Sequence, residues 1–247
     1  MQAKQSINDF VIKFANVNGT GSASANGMFA KAIFRMGIPV SPRNIFPSNI
    51  QGLPTWYEVR ISRDGYLGRR GGIDMMVSVN PQSFAKDVGE VEPGGYMLYD
   101  STKPLDLRHV RRDIHYLGIP LTEMCLREYT DSRQRQLFKN VIYVGALSAL
   151  LNIDFAILKD LVGEQFKGKE KLITPNIHAL EMGHQYATAH FECPLGIHLK
   201  AGEQTPKHIQ EFDQILMDGN TAAALGAVYA GATVAAWYPI TPSTSVV

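Results

Sequence analysis

Residues 10–37 read FVIKFANVNGTGSASANGMFAKAIFRMG, and this stretch decides the fold class. It begins with a β-branched apolar run of the kind that forms a buried strand. A glycine-rich turn follows, after which Met28, Ile33 and Phe34 recur at a spacing that suits a helix packed on a sheet. Gly37 ends this helix. A strand, a glycine-rich turn and a helix make the first half of a βαβ unit, so the pattern predicts an α/β domain.

Strands and helices alternate in the first half of the chain, and helices cluster in the second. The predicted strands cover residues 10–17, 56–62, 73–79 and 95–99, the last followed directly by Asp100. The predicted helices cover residues 83–88, 137–151, 156–166 and 176–190. Gly145 suits close packing of the second helix, and Pro175 is expected at the first position of the last one. This order favours a mainly parallel sheet in a domain that spans residues 1–195.

Residues 196–215 are polar and read as a linker, and residues 216–247 open a second α/β domain. Asp218 or Asn220 can cap a helix over 221–230, which a strand over 233–238 and a turn over 239–242 follow. One helix and one strand cannot bury each other's apolar faces. We therefore expect the rest of this sheet to come from residues beyond 247 or from another chain, which makes this chain a piece of a larger enzyme.

Composition excludes several classes of function. The net charge is +1, and the arginines and lysines form no basic stripe, which argues against electrostatic binding of nucleic acid. No apolar run reaches the length of a membrane span and no signal peptide is present, so we expect a cytoplasmic protein. Cys125 and Cys193 stand alone, without a C-x-x-C pair, so we expect reduced thiols and no iron–sulfur or zinc site in this chain.

The most specific motif is Tyr238-Pro239-Ile240-Thr241-Pro242. Two prolines fix the backbone on both sides of Thr241 and remove two donors, so the threonine hydroxyl is rigidly aimed. The motif also follows a predicted strand, and the carboxyl ends of strands are where α/β sheets bind ligands. The block from Asp218 through this motif closely resembles the start of the pyrimidine-binding domain of thiamine-diphosphate-dependent 2-oxoacid:ferredoxin oxidoreductases.

That resemblance implies roles for the motif. Thr241 would hydrogen-bond the carboxylate of a 2-oxoacid beside the cofactor, and Tyr238, Pro239, Ile240 and Pro242 would line the cofactor's surroundings. The preceding domain, with its glycine-rich turn and its VRIS, GGIDMMVSVNP and GGYMLYDST segments, resembles the Rossmann-like γ domain of the same family. A γ domain ahead of a pyrimidine domain resembles the two-subunit enzymes most often assigned to 2-oxoglutarate, with pyruvate or another 2-oxoacid as the alternative substrate.

The resemblance also implies what this chain lacks. Asp218-Gly219-Asn220 reads as a helix cap and not as a diphosphate motif, so thiamine diphosphate and Mg²⁺ would be held by a β subunit. The same partner would carry a four-iron four-sulfur cluster, in a dimer of αβ heterodimers that reduces ferredoxin. The glutamate that activates the cofactor is expected beyond residue 247. We therefore expect the chain alone to be inactive.

Two glycine-rich turns are candidate phosphate contacts. Gly19 and Gly21 precede a helix whose first amides could hold a phosphate of coenzyme A, or could simply allow close strand–helix packing. Arg69 and Arg70 offer guanidinium forks to a coenzyme A phosphate or a substrate carboxylate, or else form a solvated turn.

The first domain also suits two other classes of function. A non-catalytic module that holds a subunit interface or clamps coenzyme A would use the same first domain. A Rossmann dinucleotide-binding protein is disfavoured, because residues 37–46 carry no acidic residue to bind a ribose.

Overall fold

The structure, a computed structural model, describes residues 2–16, 20–45, 54–202, 215–238 and 246. The chain divides into two compact units, Met1–Lys207 and His208–Val247. In chain order the elements of the first unit are β1 (Ser6–Ile7), β2 (Asp9–Asn16), α1 (Ser22–Arg35), β3 (Val40–Ile45), β4 (Thr55–Ser62), β5 (Ile73–Ser78), α2 (Phe84–Glu90), β6 (Val91–Asp100), a 3-10 turn (Leu107–His109), β7 (His115–Ile119), α3 (Leu121–Glu128), α4 (Ser132–Leu150), α5 (Phe155–Gln165), a 3-10 turn (Glu170–Leu172), α6 (Ile173–His190) and β8 (Ile197–His198). The second unit contains α7 (Gly219–Tyr229).

A six-stranded sheet in the order β3-β4-β2-β5-β6-β7 organises the first unit. The pairs β2–β5, β5–β6 and β6–β7 are parallel, whereas β2–β4 and β3–β4 are antiparallel. The mainly parallel α/β fold expected from the sequence is therefore confirmed. The antiparallel β3 escaped notice because Pro42 interrupts its pattern, and the edge of a sheet is where a strand tolerates proline.

Both faces of the sheet are covered. Phe10, Ile12 and Phe14 of β2 belong to the larger apolar cluster, into which α1, α4 and α6 pack. Val11 and Ala15 point into a smaller cluster on the opposite face. Burial on two sides explains why β2 reads as a continuous apolar run and not as an alternating one.

The helices α1, α2, α4, α5 and α6 arise close to their expected positions. Asp154 and Asp131 cap α5 and α4 by accepting backbone hydrogen bonds from Ala156 (2.9 Å) and Gln134 (2.8 Å). Pro175 is the third residue of α6 and not the first, since the helix begins at Ile173.

The second half of the chain differs from the expectations in two places. Ile197 and Leu199 are fully buried, and β8 pairs with β1, so the start of the expected linker 196–215 is packed into the first unit. Residues 232–238 form no strand, although one was expected over 233–238. The expected helix is present as α7, with the Asp218 carboxylate accepting from the Thr221 amide at 2.9 Å. A strand needs neighbours to satisfy its backbone groups, and pattern alone does not provide them.

Candidate functional site

A cleft of about 600 Å³ lies at the carboxyl ends of β5 and β6. This edge of a parallel sheet is where α/β proteins bind ligands, because backbone groups and loop side chains converge there. We call it the strand-end cleft, and its lining consists of residues 78–82, Phe84, Ala85, Tyr99, Asp100, residues 102–106, His109, Thr122 and Lys139.

Asp100 organises the floor of the strand-end cleft. Its carboxylate accepts hydrogen bonds from the hydroxyl and the amide of Thr102 (2.7 and 3.2 Å) and from both groups of Thr122, and it pairs with the Lys139 ammonium at 2.7 Å. Burial alone would raise the pKa of Asp100, but the hydrogen bonds from Lys139, Thr102 and Thr122 outweigh it and lower the pKa to about 2. The carboxylate is therefore ionised throughout the physiological range and holds α3 and α4 against β6.

The walls of the strand-end cleft carry groups that suit a nucleotide. Asn80 is buried, anchored through its amide to the Asn16 carbonyl at 3.1 Å, and its own oxygen accepts from the Gln82 amide at 3.1 Å. Phe84 supplies an aromatic surface, and exposed Lys103 and His109 stand at the mouth. Among the described residues Lys103 forms no ion pair, so its ammonium is available to an anion.

The sequence indicated only part of this cleft. Asp100 was noticed as the residue that follows a predicted strand, which is a usable signal. Lys139 and Thr122 gave no local signal, because they meet Asp100 only when α3 and α4 fold back beside β6.

Gly21 caps α1 in a left-handed conformation (φ 79°), which glycine adopts without strain. A Cβ at this position would meet only the movable end of the exposed Leu137 side chain, so the backbone conformation, and not close packing, favours the glycine. The left-handed backbone is a structural reason for Gly21, and it does not test a phosphate contact. Gly19 lies outside the described residues.

Of the two arginines in the turn at residues 69–70, one forms an ion pair inside the protein and the other is exposed. Arg70 pairs with Asp74, a fully buried carboxylate that also accepts a hydrogen bond from the Val11 amide at 2.7 Å and pairs with Lys4. Arg69 is exposed. Arg69 is therefore the better placed of the two for an external anion.

The structure does not test the C-terminal motif. Tyr238 is 78% exposed, whereas Pro239, Ile240, Thr241 and Pro242 lie outside the described residues. Cys125 and Cys193 are free thiols. Within the described ranges, no group of three or more histidine, cysteine or acidic side chains could hold a metal ion. No helix in the described part of the chain is long and apolar enough to cross a bilayer.

The family of the chain follows from a comparison with known proteins. The family model described as pyruvate ferredoxin/flavodoxin oxidoreductase matches residues 11–186, which include the central sheet from the third residue of β2 onward and α1 to α5. The chain belongs to this family. The match coincides with the domain that carries the strand-end cleft and confirms the resemblance found in the sequence.

Individual members of the pyruvate ferredoxin/flavodoxin oxidoreductase family resemble nearly the whole chain. The α subunit of 2-oxoacid:ferredoxin oxidoreductase 2 from Aeropyrum pernix is 24% identical, with 96% of this chain and 42% of the relative covered. The 2-oxoglutarate oxidoreductase subunit KorA from Mycobacterium tuberculosis is 23% identical, with 98% and 41% covered.

A solved structure gives the same result. The 2-oxoglutarate:ferredoxin oxidoreductase from Magnetococcus marinus, determined with 2-oxoglutarate, coenzyme A and succinyl-CoA bound, superposes with a TM-score of 0.79 at 25% identity. The match covers 97% of this chain and 40% of that one. This chain therefore spans about two-fifths of the length of these relatives.

Proposed function

We propose that the chain is part of an enzyme that oxidatively decarboxylates 2-oxoglutarate to succinyl-CoA and passes the electrons to ferredoxin. The observation that carries this proposal is the likeness, over 97% of the chain, to an enzyme whose structure holds 2-oxoglutarate, coenzyme A and succinyl-CoA. The KorA relative supports the same substrate. Pyruvate is the alternative, since the family model bears the name of the pyruvate enzyme.

Within this enzyme, Thr241 is the proposed contact to the substrate carboxylate, with Tyr238, Pro239, Ile240 and Pro242 around it. Thiamine diphosphate, when bound, supplies the carbanionic carbon that attacks the 2-oxo group. As the family resemblance implies, we assign the diphosphate, Mg²⁺ and a four-iron four-sulfur cluster to a β subunit, in a dimer of αβ heterodimers.

Coenzyme A is proposed to enter the strand-end cleft with its nucleotide portion. The cleft volume of about 600 Å³ lies in the range of small-molecule sites, and Phe84 and Asn80 suit the face and the edge of a purine. Lys103 and His109 at the mouth suit phosphates. Gly19, Gly21, Arg69 and Arg70 remain proposed phosphate contacts, with Arg70 weakened by its internal ion pair.

The enzyme assay tests the proposed function. The chain alone, and the chain assembled with its co-purifying partner, are supplied with ferredoxin, coenzyme A and either 2-oxoglutarate or pyruvate. We expect reduction of ferredoxin only by the assembly and faster with 2-oxoglutarate. Turnover by the chain alone contradicts the division of cofactors between subunits. Equal turnover by an assembly from which this chain is omitted shows a non-catalytic module instead.

The cleft assignment has its own variant. Lys103→Ala removes a mouth cation, so we expect the KM for coenzyme A to rise about fivefold while the KM for the 2-oxoacid stays unchanged. Lys167→Ala is the matched control, because Lys167 is an exposed lysine outside the cleft. If Lys103→Ala and Lys167→Ala have the same KM for coenzyme A, the assignment of coenzyme A to this cleft is wrong. That result would not bear on the proposed enzymatic activity.

A further inference from the structure

The loop between β6 and β7 borders the strand-end cleft and is fixed at both ends. At its start the Thr102 hydroxyl donates to the Asp100 carboxylate at 2.7 Å. At its end the Arg111 guanidinium donates to two backbone carbonyl oxygens where α2 meets β6, at 2.7 and 2.9 Å. Among the described residues, the hydrogen bonds of residues 103–110 stay within that segment. The shape of the segment therefore depends on its own contacts.

Asp106 and Arg108 form a bidentate ion pair inside this segment. The Arg108 side chain donates to the carboxylate from Nε at 3.0 Å and from Nη2 at 2.6 Å, and the Arg108 amide donates to it at 3.1 Å. The Asp106 carbonyl oxygen accepts from the His109 amide at 3.0 Å, which closes the turn. A two-point contact of this kind fixes direction as well as distance. The ion pair therefore stabilises the conformation of residues 106–109.

The two members of this ion pair differ in their relation to the cleft. Asp106 and His109 line the cleft, whereas Arg108 does not, and its side chain is 84% exposed. Hydrogen bonds from Arg108 lower the pKa of Asp106 to about 2, so this carboxylate is ionised at physiological pH. A carboxylate without its partner at this place would repel an anionic ligand. Arg108 offsets that charge from outside the cleft.

We propose that Arg108 is a positioning residue for the binding of anionic ligands in the strand-end cleft. Its guanidinium offsets the charge of Asp106 and fixes the turn that presents His109 at the mouth. The proposal rests on the proposed entry of coenzyme A into this cleft, since the phosphates of coenzyme A are the anions concerned. Arg108 acts through Asp106 and His109 and makes no contact with the ligand.

Calorimetric titration with coenzyme A, of the intact chain and of its assembly with the co-purifying partner, tests the role of Arg108. We expect Arg108→Ala to raise the dissociation constant about fivefold, since the bidentate contact and the neutralising charge are lost together. Arg108→Lys keeps the charge without the bidentate contact and should recover part of the affinity. Arg127→Ala is the matched control, because Arg127 is 78% exposed, pairs with Glu123 and lies outside the cleft.

A double variant separates the offset of charge from a direct contact. Asp106→Asn removes the carboxylate charge, so Asp106→Asn with Arg108→Ala should bind coenzyme A about threefold more tightly than Arg108→Ala alone. If Arg108 touched the ligand, or served only the folding of the loop, the double variant would bind no better than Arg108→Ala. Circular dichroism checks that every variant is folded.

Three results would overturn the role of Arg108. The first is the same dissociation constant in the unmodified chain and in Arg108→Ala, and the second is a double variant that binds no more tightly than Arg108→Ala. The third is the absence of saturable binding to the chain and to its assembly, which also removes coenzyme A from the cleft. An assembly that binds coenzyme A but reduces no ferredoxin contradicts the proposed activity alone and leaves the role of Arg108 in place.

Discussion

At the scale of single residues, Asp74 pairs with Arg70, one of the two arginines that the sequence analysis offered as contacts for a phosphate or a carboxylate. Its carboxylate is fully buried, accepts from the Val11 amide and pairs with Lys4 and Arg70. Asp74→Ala leaves the buried Val11 amide without its acceptor, whereas Lys4 and Arg70 are partly exposed and can turn to solvent. We expect Asp74→Ala to lower the free energy of unfolding by about 1–3 kcal/mol, measured by urea denaturation.

The two arginines of the neighbouring turn separate the structural role from the proposed binding role. Arg70→Ala should cost about 1 kcal/mol, because its partly exposed guanidinium is screened by solvent. Arg69→Ala should leave stability unchanged, since Arg69 is exposed. An Arg69→Ala loss as large as that of Arg70→Ala would refute this division.

Asp100 sets a residue-scale dependence of stability on pH. Its folded pKa, about 2, lies below the ordinary 3.8, so its stabilisation is present above pH 3.8 and is lost as the pH falls towards 2. After a discount for partial exposure, the contribution is roughly 1–2 kcal/mol. We expect Asp100→Asn to reduce the loss of unfolding free energy between pH 3.8 and pH 2. Urea denaturation at several pH values measures this loss. Asp64→Asn is the control, because its carboxylate is half exposed, and it should lose as much stability in acid as the unmodified chain. An unchanged loss in Asp100→Asn would contradict the stabilising role of the Asp100 hydrogen bonds.

At the scale of elements, the crossing of α4 and α6 depends on two glycines. A Cβ on Gly145 would overlap the Leu180 carbonyl oxygen, and one on Gly183 would overlap the Ile142 carbonyl oxygen. We expect Gly183→Ala to destabilise the chain by about 1–3 kcal/mol, because the helices must move apart. Gly163→Ala in α5 meets no neighbouring atom and should instead stabilise by about 0.5–1 kcal/mol, as alanine favours helix. Thermal and urea unfolding compare the two, and equal effects would show that the crossing tolerates a methyl group.

At the scale of the whole molecule, one sheet joins the two apolar clusters of the first unit. Trp56, in the smaller cluster, is buried and donates to Asp87 at 2.8 Å, while Asp87 also accepts from Ser78 and Ser83. The chain has two tryptophans, so Trp237→Phe leaves Trp56 as the only reporter. We expect Trp56 fluorescence and the main circular dichroism transition to share one midpoint, because neither cluster can lose its sheet separately. Separate midpoints would mean that the faces unfold independently.

The central strands and long helices were predictable because each carries its own pattern. β2, β4 and β5 are β-branched or apolar runs, and α4 is a long apolar helix bounded by polar residues. β3, β7 and α3 were missed, since β3 and β7 are short and only partly buried, and the buried side of α3 is set by its neighbours. The strand-end cleft was predictable only at Asp100, because its other groups come from distant parts of the chain.

The sequence by itself determined the α/β class, the main strands and helices, and the family, because these depend on local periodicity and on a motif of consecutive residues. Only the tertiary structure decided which charges are internal, as with Arg70 and Asp74, and where Lys139 meets Asp100. It also decided that Gly183 is a packing residue, because a Cβ there would overlap the Ile142 carbonyl oxygen. Each of these contacts joins residues far apart in the chain, and packing, not pattern, brings them together.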